Sequence, residues 1–191
     1  MRIITGKAKG INIKTLEGEA TRPTSQRVKE AVFSMLQFDI EGRRVLDLFS
    51  GSGQMALEAI SRGASFAVMV DRAPEAIKVI NDNVIKTKFL DQCEVRREDY
   101  VSFLNRYRGE KFDIVFLDPP YASEFYEPAL RKLVERDMIK STTLIVCESD
   151  FENIFGKDPE LASRFEIIKQ TGYGRVYITL LSPKKEGQYE R

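Results

Sequence analysis

The sequence predicts an α/β protein on a doubly wound, mostly parallel sheet of seven strands, and three observations predict it. Between residues 44 and 181, short apolar runs alternate with amphipathic stretches, the pattern of strands connected through helices onto a parallel sheet. A glycine turn, Gly51-Ser52-Gly53, joins the first apolar run to the first amphipathic stretch, as in strand–turn–helix units that hold a ligand. The last two apolar runs are separated by Thr171-Gly172-Tyr173-Gly174, a hairpin signal that adds one antiparallel edge strand.

The elements follow in order. Residues 2–14, RIITGKAKGINIK, read as a short β-hairpin around a Gly/Lys turn. In TRPTSQRVKEAVFSML, Val28, Val32, Met35 and Leu36 recur on one helical face, with Thr24 or Ser25 as N-cap and Pro23 as the punctuation before it. VLDLF (45–49) is a strand, and GQMALEAISRG is a helix closed by Gly63. FAVMVD (66–71) is a strand, and 74–88 a helix with Pro74 in its first turn. CEVRRED (93–99) is a weaker strand before a short helix over 100–107. FDIVFLD (112–118) is a strand and 125–137 a helix; TLIVCE (143–148), FEIIKQ (165–170) and RVYITLL (175–181) complete the sheet. These limits divide the chain into an N-terminal hairpin and helix (1–41), a main domain (42–183) and a polar tail (184–191).

Composition narrows the chemistry. Charged residues at 31% and hydrophobic ones at 42% exclude a disordered chain. The apolar runs fall far short of the ~18 residues of a membrane span, and a cytoplasmic protein without a membrane partner is expected. Histidine is absent, which removes Ser-His triads and histidine zinc sites. Cys93 and Cys147 lack metal-binding spacing and read as buried free thiols; no metal is expected. The reaction must therefore run on carboxylates, backbone groups, hydroxyls, amines or a cofactor. Net charge is +1, yet residues 1–29 carry seven Lys/Arg against Glu17 and Glu19. That bias suits contact with phosphates; a solvated arm is the plainer reading.

In doubly wound sheets, ligands bind at the carboxyl ends of the strands near the switch in strand order. Asp47, Asp71, Asp99 and Asp118 each end a predicted strand and should converge there. Gly51 to Ala56 fits G-x-G-x-x-A, and Asp71 lies 18 residues beyond Gly53, placed to take a ribose diol. A nicotinamide dinucleotide fits that spacing equally well. Asp47, inside the loop's own strand, favours a cationic cofactor over a pyrophosphate, unless it bonds loop N–H groups instead. FLDPPYAS (116–123) then stops a buried strand in a stiff turn, because each proline fixes φ and lacks an N–H.

D-L-F-S-G-S-G, an acidic end to the next strand, and D-P-P-Y resemble the class I S-adenosylmethionine-dependent methyltransferases of exocyclic amines. With RIITGKAKG (2–10), RPTSQRVKEAVFSML (22–36) and TGYGRVYITLL (171–181), the chain is similar to the RsmD family over nearly its whole length. The resemblance implies a Rossmann-like methyltransferase fold, S-adenosylmethionine as cofactor, and N2 of a guanine in 16S rRNA as target, embedded in the small ribosomal subunit. It implies that Asp118, Pro119, Pro120 and Tyr121 form the catalytic turn. The Asp118 carboxylate and the Pro119 carbonyl would draw the amine's lone pair toward the methyl group, with Tyr121 stacking on the base. Asp47, Phe49, Ser50, Gly51, Gly53, Asp71, Arg72, Asp99 and Tyr100 would hold the cofactor, Asp71 at the ribose and Asp99 at the adenine amine. An N-cap is the plainer reading of Asp99. Arg2, Lys7, Lys9, Arg22, Thr24 and Arg27 would contact RNA. A monomer is expected. The alternatives are a DNA adenine-N6 methyltransferase, although the chain has no sizeable target-recognition insert, an NAD-dependent oxidoreductase, which would need a hydride-transfer acid or base not evident here, and a non-catalytic RNA-binding module.

Overall fold

The computed structural model describes residues 1–16, 23–120 and 123–185. Helix α1 (Pro23–Met35) precedes strand β1 (Arg44–Asp47), α2 (Gln54–Ser61), β2 (Phe66–Asp71), α3 (Pro74–Thr87), β3 (Cys93–Arg97) and α4 (Tyr100–Arg106). Then come β4 (Phe112–Leu117), α5 (Tyr126–Glu135), β5 (Ile139–Ser149), α6 (Pro159–Ser163), β6 (Phe165–Tyr173) and β7 (Val176–Pro183). The sheet order is β3-β2-β1-β4-β5-β7-β6. Strands β3, β2, β1, β4 and β5 pair in parallel, while β7 is antiparallel to both β5 and the edge strand β6. The expected α/β sheet of seven strands is therefore present, but the one antiparallel strand, β7, lies inside the sheet between β5 and β6 instead of at its edge.

All six residues of β4 are buried, because helices cover both faces of the parallel region and leave no solvent side to read as alternation. On one face, Phe33, Leu36, Leu57, Ile60 and Ile80 pack on Val45, Met69 and Phe116. On the other, Phe103, Leu104, Leu130 and Leu133 pack on Leu46, Val68 and Val115. Among the described residues, no helix is long and apolar enough to cross a membrane.

Residues 1–16 belong to the first of these faces. Ile3, Ala8 and Ile13 are buried in its core. The expected hairpin closes with one bridge, Arg2 to Asn12, and Ile3 N–H donates to the Ile11 carbonyl at 3.0 Å. Helix α2 holds this segment with side chains. Glu58 accepts from the N–H groups of Ile4 and Thr5 at 2.8 and 3.0 Å, and Ser61 Oγ accepts from Ala8 N–H at 3.0 Å. Glu58 also pairs with Lys29 of α1 at 3.0 Å, and both side chains are almost fully buried. Lys29 thus leaves the basic surface expected of residues 1–29 and serves inside the fold.

The structure corrects three local expectations. Helix α1 begins at Pro23, which sets Thr24 and Ser25 inside the first turn instead of at the cap; proline fits there because its missing N–H needs no partner. Strand β5 begins at Ile139, earlier than its apolar run, because Thr143 Oγ1 donates to the Phe112 carbonyl and accepts from Lys140 N–H across a register shift. Helix α6 has no counterpart among the expected elements. It is five residues long, starts on Pro159, and is capped by Asp158, which accepts from Leu161 N–H at 2.9 Å.

Asp113 ties β4 to its neighbours by accepting from Arg44 N–H at 2.9 Å and from Lys140 at 2.7 Å. Burial works against its charge, but the Lys140 and Arg44 hydrogen bonds outweigh it and hold the carboxyl below the ordinary 3.8. A lowered carboxyl binds fewer protons folded than unfolded, so its stabilisation is complete above 3.8 and is lost as pH falls through the folded value. Asp113→Asn is expected to flatten the fall in urea midpoint across this acid range and to lower the midpoint near neutral pH. A variant with the wild-type acid slope would remove Asp113 from that account.

Candidate active site

Strand order reverses between β1 and β4: β2 and β3 lie on one side of β1, and β4 and β5 on the other. Such a crevice at the carboxyl ends is where doubly wound sheets bind ligands. In spatial order the rim carries Asp99 after β3, Asp71 ending β2, Asp47 ending β1 and Asp118 after β4. Adjacent strands lie about 4.8 Å apart, so the outer two strands of this set are separated by roughly 14 Å. The four acids expected to converge do share this rim.

The loop after β1 is fixed by hydrogen bonds from both flanks. Ser50 N–H donates to the Val70 carbonyl at 3.0 Å, and Ser50 Oγ accepts from Val70 N–H at 3.0 Å while donating to the Asp47 carbonyl at 2.6 Å. Gly51 N–H donates to Asp71 Oδ2 at 3.0 Å, and Ala73 N–H donates to the other Asp71 oxygen at 2.9 Å. Gly53 N–H donates to the Ser50 carbonyl at 2.7 Å. Gly51 and Gly53 have φ of 53° and 78°, the left-handed region that glycine enters without steric cost. A Cβ on Gly53 would also come within 3.1 Å of Met69 Sδ. Gly53→Ala is therefore expected to destabilise the fold by about 1–2 kcal/mol and to weaken cofactor binding further. Denaturation and ligand titration would check both; unchanged values would mean the loop does not need this backbone.

Asp47 is buried, and its Oδ2 accepts from Ala56 N–H in the first turn of α2 at 3.3 Å. The carboxylate thus meets the positive end of that helix. Asp71 is half-buried and Arg72 beside it is exposed. Asp99 is exposed and caps α4, its Oδ1 accepting from Val101 N–H at 3.0 Å and Ser102 N–H at 3.4 Å. The plainer role of Asp99, an N-cap, is thus present in the fold, and its carboxylate still faces solvent.

Three rings gather beside the rim. Phe49 lies 5.2 Å from Tyr100 and 5.8 Å from Phe125, and Tyr100 lies 5.6 Å from Phe125, ring centre to ring centre. Burial raises the Tyr100 phenol, helped by the charges of Asp99 and Glu124. Phe49 and Tyr100 are legible from the sequence motifs. Phe125 reads there only as the start of a helix, since its place beside them depends on the crossover after β4.

Asp118 is exposed, Pro119 buried and Pro120 exposed; Tyr121 lies outside the described residues. Behind the turn, buried Tyr126 donates its hydroxyl to the Glu148 carbonyl, pinning α5 to the end of β5. Burial raises this phenol, aided by Cys147, Asp118 and Glu148. Cys147 is fully buried and Cys93 half-buried; burial pushes the Cys93 thiol up to about 12 and that of Cys147 higher, so neither is a thiolate near neutral pH.

The residues expected to meet RNA spread beyond the rim. Lys7 and Lys9 are exposed on a turn whose Lys7 N–H donates to the Ser61 carbonyl at 2.7 Å. Ser61 ends α2, so this turn lies at the far end of a helix about 12 Å long from the glycine loop. Arg2 is exposed, as is Arg27 on α1. Arg22 lies outside the described residues, and Thr24 is placed only as part of α1.

The model of a family described as conserved hypothetical protein 95 matches residues 1–182. The YlbH protein of Bacillus subtilis is 34% identical over 98% of this chain and 100% of its own length. The ribosomal RNA small subunit methyltransferase D of Escherichia coli is 30% identical over 98% of this chain and 92% of its own. Among solved structures, the yhhF protein of Escherichia coli matches with a TM-score of 0.83 and 26% identity, covering 96% of this chain and 98% of that one.

Proposed function

This chain belongs to the conserved hypothetical protein 95 family, the RsmD family whose motifs the sequence carries, and on that premise we propose that it methylates the exocyclic N2 amine of a guanine in 16S rRNA. It is an S-adenosylmethionine-dependent rRNA methyltransferase. Asp118 with its two prolines, after the strand that neighbours β1 and its glycine loop, supports an exocyclic amine as the target, and the RsmD resemblance of residues 2–10 and 22–36 supports guanine N2 over adenine N6.

The rim residues fit this cofactor. Asp71 supplies negative charge beside the loop, and its oxygens keep lone pairs for a ribose diol, while Asp47 gives one oxygen to Ala56 N–H and so serves to shape the loop as well as to set its charge. Phe49, Tyr100 and Phe125 offer apolar ring surface for an adenine, with Asp99 exposed beside them. When bound, S-adenosylmethionine supplies a methyl group on a positively charged sulfur. The protein's task is then to hold and polarise the amine. A base amine is a weak nucleophile because its lone pair is delocalised into the ring. The Asp118 carboxylate and the Pro119 carbonyl accept from its two N–H groups and restore density on nitrogen, and the prolines keep both acceptors in place. Tyr121 stacks on the base, which must be unpaired to enter. On this reading the protein works in the cytoplasm on 16S rRNA, within the small ribosomal subunit.

Transfer of label from S-adenosylmethionine into naked 16S rRNA, assembled small subunits and duplex DNA tests the substrate. N2-methylguanine in one of the RNA samples is expected; N6-methyladenine in the DNA alone would replace this reading with a DNA adenine methyltransferase. Reversing Lys7, Lys9 and Arg22 to glutamate should weaken RNA binding and lower its salt slope by about one unit for each phosphate no longer neutralised. An unchanged slope would return this segment to a solvated arm.

A further inference from the structure

The glycine loop and the N-terminal segment meet at one fully buried side chain, Asn83 of α3. Its Nδ2 donates to the Ser52 carbonyl at 2.9 Å and to the Lys14 carbonyl at 2.9 Å, and its Oδ1 accepts from Lys14 N–H at 2.7 Å. Toward Lys14 the carboxamide supplies both partners a neighbouring strand would supply. Toward the loop it sets a peptide plane: the Ser52 carbonyl faces Asn83 while the following N–H, on Gly53, faces the Ser50 carbonyl. Turning that plane would break bonds on both sides. The segment clipped at Lys14 runs back through Ile13 and Ala8 in the core to Arg2, Lys7 and Lys9, and in sequence it precedes α1.

We propose that Asn83 is a positioning residue that couples cofactor seating on the glycine loop to the N-terminal segment's grip on RNA, so that each ligand tightens the binding of the other. The inference rests on the methyltransferase reading above. A cofactor on Gly51 and Gly53 restricts the Ser52–Gly53 peptide. Through Asn83 that restriction extends to Lys14, and the RNA-binding segment has less freedom left to lose when RNA arrives. Linkage requires the reverse effect by the same factor. The Lys14 ammonium pairs with Asp82 at 2.6 Å, but both groups are exposed to solvent, so this pair is not the link.

The test is the affinity of labelled S-adenosylhomocysteine with and without saturating 16S rRNA substrate, and of the RNA with and without S-adenosylhomocysteine. Wild-type protein should show about tenfold mutual tightening. In Asn83→Leu both ratios should fall to near one, and Asp82→Ala should keep the wild-type ratio. Full coupling in Asn83→Leu, or its loss in Asp82→Ala, would overturn the inference. If Asn83→Leu fails to fold by circular dichroism, Lys14→Pro removes the Lys14 donor and spares the Asn83–Ser52 bond. It should lower the coupling, and unaltered coupling in it would overturn the inference. Methyl transfer is measured on the same wild-type preparation. Transfer without coupling overturns this inference alone, and absence of transfer overturns the activity on which it rests.

Discussion

Asp118→Ala is expected to lower methyl transfer by about 10²–10³-fold, the scale of losing one preorganised group that acts on the reacting atoms, while leaving cofactor affinity within a few-fold. The bonds that shape the glycine loop run through Ser50, Asp71 and Asn83, on the side of β1 away from β4. Asp118 follows β4, exposed at the rim, where the proposed mechanism sets its carboxylate against the target amine. Asp118→Asn keeps the shape and one acceptor oxygen but removes the charge, so it should lose less activity than Asp118→Ala. Titration calorimetry with S-adenosylhomocysteine separates the two roles. If affinity disappears along with turnover, Asp118 belongs to the cofactor site and the assignment is wrong.

Glu58→Ala should give the largest loss of stability, about 3–5 kcal/mol, because removing one partner of a buried ion pair leaves the other charge uncompensated. Lys29 would be that charge. Burial already holds its ammonium below the ordinary lysine value, and Glu58 works against that shift. The same substitution removes the acceptor for the N–H groups of Ile4 and Thr5 and the partner of Arg62 at 2.9 Å. Adding Lys29→Met should recover part of the loss, since apolar replacement of a whole buried pair is far less costly than breaking it. Urea denaturation of the two variants checks this. A loss below about 1 kcal/mol for Glu58→Ala would mean that the pair behaves as a surface bridge.

Both predictions mark the boundary of what sequence can carry. The parallel core was legible because apolar runs such as FAVMVD are bounded by turn residues, and β2 spans those same residues, Phe66–Asp71. The rim acids were legible because each stands where such a run ends. The position of β7 between β5 and β6 was not, since a hairpin signal says that two strands pair and not which one faces the sheet. Glu58 and Asn83 were hidden for a related reason. Each lies in an amphipathic helix, where a polar residue reads as solvent-facing; only the chain segment packed over it turns that position into an interior hub. Phe125 joined the ring cluster through the same kind of long-range placement.

Nucleoside mass spectrometry of 16S rRNA from cells lacking this protein reads the proposed methylation at its own site. One N2-methylguanine should be missing, restored by the wild-type gene and not by the Asp118→Ala form. A full complement of N2-methylguanine in the deletion strain would contradict the claim, and loss of N6-methyladenine from its DNA would assign the DPPY turn to the other amine.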